Sequence, residues 1–152
     1  MNVLISKKAE LFFKAIEDVW AAEMLQYGSP NLAVWHCTQA VEKTMKGFLG
    51  VISIEFDHGH DLMALLDDVL TGFALSEDSE EHITYLSGFT TRLRYKKMSN
   101  DPTPEDAKTA ISRTKIVMQE FSSNPKISQF MDEAKEVFEK VLKSNYEKYS
   151  EA

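Results

Sequence analysis

One cysteine, Cys37, stands in a chain of 152 residues, so no internal disulfide can staple this protein. A lone thiol without a mate fits a reducing compartment, and Cys37 reads as a small buried hydrophobe. Glycine and proline are scarce, 6 and 4, which leaves few and legible breaks along the chain. No apolar run approaches the roughly 18 residues of a membrane span. The opening Met1-Asn2-Val3-Leu4-Ile5-Ser6-Lys7-Lys8 places its charges after its apolar residues, which is not the order of a secretory leader. A cytoplasmic protein is therefore expected. Basic residues are outnumbered, 17 against 24, giving a net charge of −7. That balance argues against nucleic-acid binding over the whole surface, though a local basic patch remains open. The chain also lacks a glycine-rich phosphate loop, a G-x-S-x-G elbow, an H-E-x-x-H helix and a C-x-x-C pair. No strand, hairpin or internal repeat is evident.

What is present is helical periodicity. At this length one domain with a sizeable core is expected. A first helix is predicted from about Ser6 to Tyr27, with Gly28 as its C-terminal cap. Ser29-Pro30 reads as N-cap and first-turn proline of a second helix reaching about Val51. A third helix starts near His60-Asp61. Ser76 and Asp78 supply N-cap chemistry for a fourth, ending near Tyr95. Thr103-Pro104-Glu105-Asp106 opens a fifth that runs to about Phe121. After Ser122-Ser123-Asn124-Pro125, a sixth segment from Lys126 to about Tyr149 carries one apolar stripe from Ile127 to Leu142. The expected fold is an all-α, antiparallel up-and-down bundle of five core helices plus a C-terminal helix. Residues 1–123 form the bundle, and 124–152 form an extension of the same domain.

The second helix carries the strongest local signal. On a 3.6-residue period Gln39, Glu42, Lys43 and Lys46 share one arc, opposite Val34, Cys37, Val41, Met45 and Phe48. Trp35 lies on the polar side. The arc reads either as a surface that meets a partner or ligand, or as a wet face with one exposed aromatic. His58-Gly59-His60-Asp61 is a fragment of a metal-site pattern, but it reads more simply as a helix cap at Asp61 with His60 supporting the turn. No metal or cofactor is expected. Arg92-Leu93-Arg94-Tyr95-Lys96-Lys97 is the only dense basic run. It serves equally as a dipole-matched helix end or as a phosphate- and base-binding patch. The charges of the last helix read as surface i,i+4 pairs.

Taken in order, Cys37-Thr38-Gln39-Ala40-Val41-Glu42-Lys43 with Lys46 and Leu49, His58-Gly59-His60-Asp61-Leu62 with Leu65-Leu66, Arg94-Tyr95, and Thr103-Pro104-Glu105-Asp106-Ala107 resemble the HEPN domain family. The resemblance covers roughly residues 6 to 121 and leaves out the last helix. It implies a helical bundle, commonly dimeric, similar to the C-terminal domain of kanamycin nucleotidyltransferase. It further implies a minimal nucleotidyltransferase partner in a toxin–antitoxin pair. Many members are metal-independent ribonucleases marked by an Arg, four to six residues, then a His. Here those spacings lead from Arg92 to Lys97, Met98 or Ser99, and from Arg94 to Ser99, Asn100 or Asp101. No catalytic residue can be nominated, since His is the usual general acid–base near neutral pH.

The reading that follows is a nucleotide- or RNA-binding protein rather than an enzyme. Gln39, Glu42, Lys43, Lys46, Arg94 and Tyr95 are its ligand-binding residues, with Trp35 and Arg92 at an interface. The alternatives are a protein-interaction module without nucleotide binding, or a ribonuclease that uses a non-standard histidine, His58 or His60.

Overall fold

The computed structural model describes residues 4–56, 59–95 and 101–150, with 91–95 as backbone alone. These residues form a short 3-10 turn, Lys7–Ala9, followed by six α-helices and no strand. The helices are α1 (Glu10–Leu25), α2 (Pro30–Val51), α3 (Leu62–Leu70), α4 (Glu77–Tyr95), α5 (Pro104–Ser122) and α6 (Ser128–Ser150). The all-α bundle expected from the sequence is the observed architecture, and among the described residues no helix is long and apolar enough to cross a membrane.

Most starts follow local chemistry. Asp61 caps α3 by accepting from the Met63 and Ala64 amides, both at 3.1 Å. The Ser76 hydroxyl accepts from the Ser79 amide at 3.1 Å at the start of α4. Thr103 and Asp106 form a full capping box on α5, with Pro104 in the first turn. Between α1 and α2 one expectation fails and one holds in position only, with Ser29 at the N-cap of α2. Among the described residues only Ser53 and Gly59 have positive φ, so Gly28 is not a left-handed cap. Instead the Ser29 amide reaches back to the Leu25 carbonyl at 2.8 Å, so the chain turns without a left-handed residue. The Ser29 hydroxyl donates to Asn31 Oδ1 rather than capping α2, although Pro30 does open that helix.

The central helix is α2, which packs against α1, α3, α4 and α5. Phe12 and Asp18 of α1 meet Gly47 and His36 of α2 respectively, so the two helices run antiparallel. The core gathers Phe12, Met45, Phe48, Leu65, Ile83 and Phe121, all with no exposed surface. Ile127, just before α6, and Met131 and Ala134 of α6 join the same core. At the open end of the sequence, Glu133 of α6 accepts from the Ser6 amide and hydroxyl at 3.0 and 2.7 Å.

Candidate functional site

Being central, α2 cannot carry a simple wet face, and its polar arc is largely organised by two buried carboxylates. Asp18 of α1 is 6% exposed. Lys43 Nζ donates to its Oδ2 at 2.6 Å, and His36 Nδ1 lies 2.8 Å from its Oδ1. Glu42 is 4% exposed. His60 Nδ1 lies 2.8 Å from its Oε1, and Lys46 Nζ donates to its Oε2 at 3.3 Å. Each carboxylate thus holds one imidazole and one ammonium. Burial of either charge is tolerable because both of its oxygens are partnered. An ionised carboxylate only accepts, so the Nδ1 of each imidazole is the donor in these contacts.

The spacing explains the arrangement. His36 and Lys43 lie two turns apart and Glu42 and Lys46 one turn apart, so all four share one strip of α2. Trp35 flanks it, its ring edge-on to His36 with centroids 4.9 Å apart, and is 43% exposed. Gln39 is half-buried on the same strip. Cys37, on the other side, is buried, and that burial pushes its thiol up to about 12, so it acts as a hydrophobe.

Next to Lys46 the strip opens into a groove of about 370 Å³. Lys7, Lys8 and Leu11 form one side, and Lys46, Gly47, Gly50 and Val51 the other. Gly47 lets the helices approach closely there: a Cβ on it would stand 2.7 Å from Phe12 Cε1. Three lysines thus line one apolar-walled groove in a chain of charge −7, with the Lys46 ammonium shared with Glu42 and that of Lys8 lying 5.7 Å from the Phe130 ring centroid.

The sequence-predicted residues divide as follows. Gln39, Glu42, Lys43 and Lys46 come together, but Glu42 is a buried acceptor rather than an open wall. Arg92, Arg94 and Tyr95 lie on α4, which as a helix packs on α2, and those three side chains, with Lys96, Lys97 and His58, lie outside the described residues. His60 turns to Glu42 while Asp61 caps α3. His82 is engaged on α5, where Arg113 Nη1 lies 3.2 Å from its Nδ1 and the guanidinium covers the Tyr85 ring at 4.2 Å. Asp18, His36, Lys7 and Lys8 were not singled out by sequence reasoning. One signal was available for Asp18: it sits among Ala15, Val19 and Ala22, at core-facing spacing, where an acid is out of place.

Comparison with known proteins places this geometry. A comparison with curated proteins gave no match. The fold is similar to the crystal structure of ST0689, an archaeal HEPN homologue, with a TM-score of 0.63 and 21% sequence identity. That similarity covers 78% of this chain and 97% of the archaeal one. The family model described as the HEPN domain matches residues 6–124, most of the chain and all of α1 to α5. The chain belongs to the HEPN domain family.

Proposed function

We propose that this HEPN-family protein binds a nucleotide or short RNA at the α1–α2 groove. The convergence of Lys7, Lys8 and Lys46 on one cavity of an otherwise acidic chain carries this reading. Lysine ammonium groups bind phosphate as point charges, and the apolar walls at Leu11 and Val51 suit a sugar or base. Asp18 and Glu42 act as positioning residues that hold Lys43 and Lys46 along α2. Gln39 offers a polar contact on the same strip. Arg94 and Tyr95, at the other end of α4 from this groove, are proposed from the sequence alone as a phosphate and a base contact. Calorimetry with ATP, AMP and a short oligoribonucleotide tests this. Lys46→Ala and Lys8→Ala should each weaken binding several-fold, and the affinity should fall with salt. Absence of heat with every nucleotide and RNA would sink the proposal.

A second reading, RNA cleavage by a non-standard histidine, is favoured by the Glu42–His60 and Asp18–His36 dyads. A carboxylate-oriented imidazole is the arrangement of a general base. An RNA-cleavage assay comparing wild type with His60→Ala and His36→Ala decides it, since an unchanged rate removes the residue concerned. Exposed Trp35, with Arg92, is proposed to face a protein partner, either a second subunit or a minimal nucleotidyltransferase of a toxin–antitoxin pair. Co-purification lost in Trp35→Ala would support docking, and a monomer in sedimentation would count against the homodimer.

A further inference from the structure

The helix that lies beyond the family match, α6, closes a second cavity on the opposite flank of α1, of about 380 Å³. Ile16, Val19 and Trp20 of α1, Met118 of α5, and Met131 and Phe138 of α6 supply its apolar lining. Phe138 packs edge-on to both Trp20 and Phe13, with centroids 6.4 and 5.9 Å apart, which fixes one wall. The two buried methionines bring adaptable thioethers to the lining. This size and lining are those of a small-molecule site.

Charge at the mouth selects the ligand. Glu23, Lys115 and Lys135 border the cavity, leaving one positive charge in excess. Lys115 is paired with Glu23 at 3.0 Å. Lys135 is exposed and has no ion-pair partner among the described residues. Lys135 would repel a cation and offer a pairing partner to an anion, while the apolar lining favours an apolar body. An anionic head beside Lys135 with an apolar body in the cavity satisfies both parts.

We propose that the α1–α5–α6 cavity binds a small amphipathic organic acid, its apolar body between Trp20, Met118 and Phe138 and its carboxylate at Lys135. Because α6 supplies Lys135 and Phe138, the site exists only where that helix is present. It is independent of the α1–α2 groove.

Calorimetry with decanoate and with the neutral decanol, followed in parallel by Trp20 fluorescence, tests the proposal. Decanoate should bind saturably and more tightly than decanol. Lys135→Gln, at an exposed position, should keep the helical circular dichroism and reduce decanoate affinity about fivefold, the size of a partly exposed ion pair. Phe138→Ala should weaken both ligands. No saturable decanoate binding, equal affinity for decanol, or an unchanged affinity in Lys135→Gln would each overturn the proposal. A cavity filled by a second copy of the chain would exclude decanoate at concentrations where sedimentation shows a dimer, which also overturns it.

Discussion

Asp18 occupies a core-facing position of α1 and nevertheless carries a charge there. Its two oxygens are spoken for, one by Lys43 and one by His36, at distances typical of charge-assisted bonds. Removing it leaves an ammonium and an imidazole without their acceptor, and each keeps only about a quarter of its side chain in water. Breaking a fully buried pair costs about 3–5 kcal/mol, and partial rehydration of Lys43 and His36 lowers that. Asp18→Ala should therefore destabilise by about 2 kcal/mol in equilibrium urea unfolding. Glu136→Ala removes a pair with Lys140 in which both side chains are two-thirds exposed. It should cost no more than a few tenths of a kcal/mol. Equal effects of the two substitutions would contradict the view that burial, not charge count, sets the value of an ion pair here.

The helices themselves divide into what their own sequence dictates and what only packing decides. Asp61, Ser76 and Thr103 were legible as caps because each acts on amides within three residues of itself. Asp18–Lys43 and Glu42–His60 were not, since they join residues 25 and 18 positions apart and exist only once α1, α2 and the loop before α3 have met. The groove lysines were hidden for the same reason: Lys7-Lys8 looks like an ordinary polar helix start until Lys46 is brought beside it. Glycine shows the difference within single helices. Gly47 has the Phe12 ring 2.7 Å from where a Cβ would stand, and Phe12 is fully buried and cannot retreat. Gly88 in α4 has nothing within 4 Å. Gly47→Ala should lower stability by about 1–3 kcal/mol through overpacking, whereas Gly88→Ala should raise it by about 0.5–1 kcal/mol through helix propensity. Thermal unfolding of the two variants should move in opposite directions.

The contact between α4 and α5 has its own pH signature. Burial tends to raise the Glu120 carboxyl, but hydrogen bonds from the Ser76 hydroxyl, the Ser79 hydroxyl and the Ser76 amide together outweigh it and hold its pKa below the ordinary glutamate value. A group depressed on folding contributes stability that is present above its unfolded pKa, about 4.3, and is lost as pH falls through the folded value. Glu120→Gln should therefore be less stable than wild type at pH 7, and the gap between their urea midpoints should narrow as pH drops below about 4. A gap that stays constant into acid would mean that Glu120 acts by shape alone.

At the scale of the whole molecule the question is how far α6 belongs to the fold. The family match ends at residue 124, before this helix begins, yet Ile127, Met131 and Ala134 sit inside the common core. Burying Ile127 and Met131 is worth about 2 kcal/mol each, before any contribution from half-buried Phe130 and Phe138. Domains of this size retain only about 5–15 kcal/mol in total. A chain ending at residue 123 would give up a substantial part of that reserve. It would also bare Ile16, Val19 and Trp20 on α1, and it would free Ser6 from Glu133 at the start of the chain. Truncation should therefore leave the helices largely formed by circular dichroism but lower the urea midpoint markedly and raise binding of a hydrophobic dye. If the truncated chain unfolded at the wild-type midpoint, α6 would be an appendage resting on the bundle, and the cavity it closes would have no structural claim on the rest of the molecule.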